Sequence, residues 1–283
     1  MTFNHKKNMM YKNSRKVSKY LAGCFMALML LAYVQSCKEK KQETTIEADA
    51  VVKILEEGDG FVNIFDGETL TGWKGDPNYW RVENGALVGE VTPETLLKSN
   101  TFIIWEGDQP DDFELKLEFK IAESGNSGIN YRSDLIDTIP NAMKGYQADI
   151  DGKRRYTGQN YEEKKRATLA YRGEKVTINS QDNPDTNGSL RANVKNNCWQ
   201  SREVVGSLGE SDSLKTKIKS EDWNEVHLII KGNRLQHYVN GVLMSDVNDE
   251  DAINRKLKGY LGVQVHVGPP MKVKYRNIRL KNL

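Results

Sequence analysis

Asp112-Phe113-Glu114-Leu115-Lys116-Leu117-Glu118-Phe119-Lys120-Ile121 decides the fold. Phe113, Leu115, Leu117, Phe119 and Ile121 alternate with Glu114, Lys116, Glu118 and Lys120, the two-residue period of a strand with one face in a core and one in water. So clean a split argues for an antiparallel sheet, because strands covered on both faces read as continuous apolar runs. Short segments of the same kind lie on either side. Upstream are 61–65 and the pair 80–83 and 86–89, joined by the hairpin signal Asn84-Gly85. Downstream are 127–132, 145–151, 168–172, 175–178, 223–231, 234–240, 242–244, 260–266 and 272–280. Between 179 and 221 the period fails in a run rich in Asn, Ser, Asp and Gly, which reads as long loops with a short helix near 199–205. Many short strands with turn signals between them and almost no helical period predict an all-β protein, a β-sandwich of two antiparallel sheets. No fixed-length repeat is visible, which weighs against a propeller.

Three of these strands carry polar groups on one face. In Gly145-Tyr146-Gln147-Ala148-Asp149-Ile150-Asp151, Gln147, Asp149 and Asp151 share a face opposite Tyr146, Ala148 and Ile150. Such a row is costly to bury, so it faces either a polar cleft or, on an edge strand, water. The strand 127–132 ends at Arg132, on the face of Gly128 and Asn130. In Gly262-Val263-Gln264-Val265-His266, Gln264 and His266 lie together, and Gly268-Pro269-Pro270-Met271-Lys272 follows as a rigid turn that would fix the imidazole. Arg, Gln, Asp and His on one face supply the donors and acceptors of a sugar site. The segment Tyr156-Thr157-Gly158-Gln159-Asn160-Tyr161-Glu162-Glu163 could fold back over the acidic strand and bring Glu162, or Glu163, as a further carboxylate. His227 and His237 sit in ordinary alternating strands and read as structural.

No paired-His metal motif, phosphate-cradling glycine loop or serine elbow is present. Asp149, Asp151, Glu162 and His266 would hold a divalent cation only if the fold made them converge; no other cofactor is expected.

The first 36 residues hold Lys6, Lys7, Lys12, Arg15, Lys16 and Lys19 and no acid, followed by an apolar run over 20–34 that is short for a membrane span. The run ends in Val34-Gln35-Ser36-Cys37, which resembles a bacterial lipobox. Residues 1–36 therefore read as a lipoprotein signal peptide, Cys37 as the lipidated first residue, 37–57 as a polar tether, and 58–283 as one domain. An uncleaved single-span anchor is the rival reading, and both place the domain outside the cytoplasm, on the periplasmic or outer-membrane side. Without the leader the chain has 35 basic against 39 acidic residues, near −4, which does not suggest a nucleic-acid surface. Only Cys198 then remains as a thiol inside the domain, so no disulfide framework exists there, and it reads as a buried or incidental group.

Phe65-Asp66-Gly67-Glu68-Thr69-Leu70-Thr71-Gly72-Trp73, Trp80-Arg81-Val82-Glu83-Asn84-Gly85-Ala86-Leu87, Asn126-Ser127-Gly128-Ile129-Asn130-Tyr131-Arg132, the stretch 145–151, Trp223-Asn224-Glu225, Asn240-Gly241 and Gln264-Val265-His266-Val267-Gly268-Pro269-Pro270-Met271 occur in this order. Together they resemble the 3-keto-disaccharide hydrolase domain family from about Gly60 to the C-terminus. The resemblance implies a concanavalin A-like jelly roll of the laminarinase type, acting on glycosides whose sugar is a ketone at C3. Where laminarinase-type enzymes carry Glu-x-Asp-x-Glu, this chain reads Gln147, Asp149 and Asp151, and an amide cannot act as the nucleophile of a retaining hydrolysis.

A C3 ketone acidifies the C2 proton, so that a base can remove it, the enolate can expel the C1 substituent, and water can add back at C1. His266 is the first candidate for that base and Asp149 the second. Arg132, with Lys272 or a metal, is the candidate for holding the enolate, and Gln147, Asp151, Tyr161, Glu162 and Gln264 for gripping substrate. The alternative is a non-catalytic, lectin-like carbohydrate-binding module on the same fold.

Overall fold

The computed structural model describes residues 58–181 and 190–283. The leader, Cys37 and the tether lie outside the described residues. Two sheets pack face to face as a jelly-roll β-sandwich. In spatial order the first runs Arg202–Ser207, Glu174–Ile178, Val242–Asp249, Arg234–Val239, Asn224–Lys231, Phe113–Ile121, Met271–Asn282, Ala86–Val91 and Trp80–Glu83, with Val62–Asn63 paired to the far end of Met271–Asn282. The second runs Val194–Lys195, Cys198–Trp199, Ala167–Ala170, Asn160–Glu163, Met143–Asp151, Asn126–Leu135, Tyr260–Val265, Thr101–Trp105 and Trp73–Lys74. Each sheet is antiparallel apart from a parallel pairing, Glu174–Ile178 with Val242–Asp249 in one and Ala167–Ala170 with Cys198–Trp199 in the other.

The strand Phe113–Ile121 behaves as its alternation dictates. Phe113, Leu115, Leu117, Phe119 and Ile121 are buried in the main core, and the charged residues between them face outward. Facing them from the second sheet are Ile129, Tyr131, Tyr146, Ala148 and Ile150. Taking a Leu, Ile or Phe side chain fully out of water is worth on the order of 1.5–3 kcal/mol, so these facing rows supply much of what holds the two sheets together.

Several local expectations change. Residues 202–207 form an exposed edge strand instead of a helix, and the one short α-helix among the described residues is Ser211–Lys215. The segments around 168–172 and 175–178 form strands of opposite sheets, Ala167–Ala170 and Glu174–Ile178, because the chain crosses the sandwich between them. Thr101–Trp105 is an additional strand whose run Phe102-Ile103-Ile104 has no alternation, since both of its faces are covered.

A buried ionic cluster ties the sheets at one end. Arg166, fully buried, has its Nε 2.5 Å from Glu162 Oε2, its Nη2 2.7 Å from Asp249 Oδ2 and its Nη1 3.4 Å from Asp251 Oδ2. Lys165 Nζ reaches Glu162 Oε1 at 2.9 Å, and the Tyr146 hydroxyl donates to Asp249 Oδ2 at 2.5 Å. Removing one partner of such a cluster leaves buried charge uncompensated. Arg166→Ala is therefore expected to lower unfolding free energy by about 3–5 kcal/mol in urea titrations, a range set by buried pairs broken from one side. A loss under 1 kcal/mol, the scale of an exposed pair, would contradict this role.

Candidate active site

Met143–Asp151 is buried on both faces. Tyr146, Ala148 and Ile150 enter the core, which sends Gln147, Asp149 and Asp151 to the outer face of the second sheet. Pairing adds neighbours to that face: Gln147 lies opposite Tyr161, and Gly145 opposite Glu163. On the other side Asp149 pairs with Gly128. A Cβ on Gly128 would stand 2.3–2.6 Å from Gln147 side-chain atoms, so glycine there lets Gln147 lie flat along the sheet.

A cavity of about 200 Å³ opens above this face, lined by Gln147, Asp149, Gln159, Tyr161, Glu163 and His266, with Asn126, Tyr156 and Asn197 around it. Gln147 Nε2 donates to Asp149 Oδ1 at 2.6 Å, and Gln159 Nε2 donates to Asp149 Oδ2. Behind Gln147, the fully buried Gln264 donates from Nε2 to Gln147 Oε1 at 3.2 Å. Asn100 Nδ2 donates to Glu163 Oε1 at 3.1 Å. His266 Nδ1 lies 2.5 Å from the Val267 carbonyl oxygen. A carbonyl only accepts, so Nδ1 carries the hydrogen and Nε2 of the neutral ring keeps its lone pair.

Burial pushes the Asp149 carboxyl up to about 7, and the negative charges of Glu163 and Asp151 add to the shift against the two amide donors. Burial also raises Glu163, opposed by its bond from Asn100 and by the charges of Lys164, His266 and Arg191. The site thus pairs an imidazole with two carboxyl groups that favour protonation more than ordinary acids do.

The sequence-based candidates divide. Gln147, Asp149, Tyr161 and His266 meet in the cavity, and Gln264 supports them from beneath. Asp151 shares the face but is spent on the chain: its carboxylate accepts from the backbone N–H groups of Arg155, Tyr156 and Thr157 at 2.9–3.0 Å and so folds the loop that carries Tyr156 and Gln159 over the strand. Glu162 points the opposite way, into the ionic cluster around Arg166, and Glu163 is the residue of that pair that reaches the cavity. Arg132 is not at the site. The strand bulges between Tyr131 and Asp134, and Arg132 sits at φ 43°, which breaks the alternation. Its guanidinium turns away to the carbonyls of Asp111 and Gly232 and to the Asp112 carboxylate. Lys272 lies on the outer face of the opposite sheet, 3.4 Å from Glu83 and 3.6 Å from Glu90. Of the four residues considered for a divalent cation, Asp149 and His266 line the cavity, while Asp151 is taken up by backbone N–H groups and Glu162 by Arg166. Among the described residues no group of three His, Cys, Asp or Glu is placed to hold a metal ion.

Asn126, Tyr156, Gln159 and Asn197 complete the lining without having been singled out as site residues, and Glu163, the alternative to Glu162, joins them. Asn126 had a signal: it continues the face of Gly128 and Asn130 one step back. Asn197 belongs to the aperiodic region 179–221, so part of that region does shape the cavity.

Asp149 should leave a signature in stability. Its unfolded carboxyl titrates near the ordinary value of about 4 and its folded one near 7, so within that window the folded chain holds a proton that the unfolded chain has lost. The group's effect on stability then worsens as pH rises through the window and levels off above it. The Tm of Asp149→Asn relative to the unsubstituted protein is expected to rise from pH 5 to pH 8. Parallel Tm curves would contradict the elevated titration.

A 3-keto-disaccharide hydrolase of Bacteroides thetaiotaomicron is 34% identical over 82 residues, a match that covers 26% of this chain and 28% of that relative's length. A solved structure from Parabacteroides distasonis, provisionally assigned as a glycosyl hydrolase, aligns with TM-score 0.48 and 19% identity, covering 81% of this chain and 96% of that one. A carbohydrate binding module of Bacillus subtilis aligns with TM-score 0.46 and 15% identity, covering 75% of this chain and 96% of that one. At these TM-scores neither structural likeness bears on the chemistry. The model of the 3-keto-alpha-glucoside-1,2-lyase-like domain matches residues 60–281, nearly the whole of the described sandwich, and the chain belongs to that family.

Proposed function

We propose that this chain is a carbohydrate-active enzyme that cleaves 3-keto-glycosides, with His266 as the base that removes the C2 proton. The observation that carries the reading is the pairing, in one cavity, of an imidazole whose Nδ1–H is committed to Val267 with an acid, Asp149, raised to about 7. The family's name and that of the Bacteroides thetaiotaomicron relative support the same substrate class. The cavity is smaller than the ~300–1,000 Å³ of drug-sized sites, which suits one sugar ring with its aglycone projecting outward.

In the proposed reaction His266 Nε2 takes the C2 proton, and the electron pair delocalises to the C3 oxygen as an enolate. The enolate re-forms the ketone as the C1–O bond breaks, leaving a C1–C2 double bond, and the departing oxygen takes a proton from Asp149. Water then adds at C1, giving its proton to the Asp149 carboxylate, and the proton held by His266 returns to C2, so that the free 3-keto-sugar and the alcohol are formed and both groups regain their starting states. Arg132 and Lys272 are too misplaced to hold the enolate; the Asn126 and Asn197 amides and the Tyr156 and Tyr161 hydroxyls are the neutral donors around the cavity. Gln147 and Gln159 fix the Asp149 carboxyl and exclude a nucleophilic role at position 147.

A second reading, a lectin-like module that only binds, is favoured by the number of amide and phenol groups in the lining. Sugar release separates the two. The protein is expected to release the aglycone from a 3-keto-glucoside and not from its unoxidised counterpart, and His266→Ala to lower kcat by about 10²–10⁴, the range for a general base. Equal release from both glycosides would rule out elimination, and binding without release would favour the lectin reading.

We place the enzyme on a lipid anchor at Cys37, outside the cytoplasm. Cys37→Ser is expected to move the protein from the membrane fraction to the soluble fraction of the producing bacterium. Continued membrane association would favour an uncleaved apolar anchor.

A further inference from the structure

Asn100 lies just before the strand Thr101–Trp105 and does not line the cavity, yet it touches two of its walls. The residue is 8% exposed, and its side chain makes two different bonds. Nδ2 donates to Glu163 Oε1 at 3.1 Å, while Oδ1 accepts the Val267 N–H at 2.9 Å. Val267 is the residue whose carbonyl takes the His266 Nδ1 hydrogen at 2.5 Å. One chain of contacts therefore runs from Glu163 through Asn100 and Val267 to the imidazole, joining the strand Asn160–Glu163 to the paired strands Thr101–Trp105 and Tyr260–Val265, neither of which is its neighbour in the sheet. A carboxylate at position 100 would supply no donor to Glu163 when ionised, and a methyl group would supply neither contact.

We infer that Asn100 is a positioning residue, which orients the Glu163 carboxylate and, by fixing Val267, holds His266 in the tautomer whose Nε2 lone pair is free. It sets the relation between two proton-handling groups without touching substrate. The groups that act electrostatically on Glu163 are Lys164 beside it, Arg191 and His266 from other segments, and Tyr161 and Asp149 on the same face. Asn100 gives Glu163 its one neutral side-chain donor among these interactions. The catalytic consequence rests on the reading of His266 as base; the geometric role does not.

Two variants test this in the full chain. Protein labelled with ¹⁵N-histidine is examined by long-range ¹⁵N–¹H NMR at pH 8.5, with the His266 signals identified by their loss in His266→Gln. The carboxyl of Glu163 is followed by ¹³C NMR against pH, assigned with Glu163→Gln. Asn100→Ala is expected to lose the single Nδ1–H tautomer and to raise the Glu163 titration. Asn100→Asp keeps an acceptor for Val267, so it is expected to retain the tautomer while moving the Glu163 titration upward by about one unit or more, because a like charge replaces a donor. With a 3-keto-glucoside, Asn100→Ala is expected to lower kcat tenfold or more with KM little changed.

A folded Asn100→Ala with the original tautomer and an unmoved Glu163 titration overturns the inference. If that variant does not fold, an unmoved Glu163 titration in Asn100→Asp overturns it alone. Altered spectra in a protein whose unsubstituted form releases no sugar would sink the function proposed above and leave the positioning role standing.

Discussion

The interaction on which the site depends is the capture of the buried Asp149 carboxyl by the two amides of Gln147 and Gln159 at the floor of the cavity. An ionised carboxylate there would have neutral donors and the negative charges of Glu163 and Asp151 around it, so burial decides its protonation and carries it toward 7. The sequence accommodates this with a strand whose inner residues are core and whose outer residues are amide and acid. Gly128 leaves room for Gln147, Gln264 backs it, and Asp151 folds the loop that delivers Gln159. Each contact is ordinary alone; together they fix the Asp149 carboxyl in a buried position whose desolvation keeps it protonated to unusually high pH, in the same cavity as His266.

The sandwich makes that arrangement durable. The strand bearing Gln147 and Asp149 presses Tyr146 into the core, where it stacks on Tyr131 at 5.5 Å and gives its hydroxyl to Asp249. The inward face of Asn160–Glu163 sends Glu162 to Arg166, and the outward face of the same strand presents Tyr161 and Glu163 to the cavity. Strand parity thus couples the ionic cluster to the site: the backbone that Arg166 anchors through Glu162 is the backbone that aims Glu163.

Much of this was legible in the sequence. Strict alternation in 112–121 specified the sandwich, and the same rule put Gln147 and Asp149 on one face and Gln264 beside His266. The rule failed where the chain departs from regular pleating. Arg132 was assigned to the polar face by counting through a bulge that the sequence Tyr131-Arg132-Ser133 does not announce. Glu162 and Glu163 are neighbours of opposite parity, and only the pairing of Gly145 with Glu163 decides which one reaches the cavity. Lys272 follows a turn that carries the chain from one sheet to the other, so nearness in sequence to His266 meant little. Asn100 had no local signal, because its partners Glu163 and Val267 are 63 and 167 residues away.

The central claim is that this cavity removes a proton from the carbon next to a sugar ketone. A 3-keto C-glycoside, whose C1 substituent is bonded through carbon and cannot leave, isolates that step. Incubated in D₂O with the full-length protein at pH 7.5, it should gain deuterium at C2 far faster than in buffer, and His266→Gln should return the rate close to background. Exchange no faster than in buffer, or equally fast in the His266→Gln variant, would contradict the account.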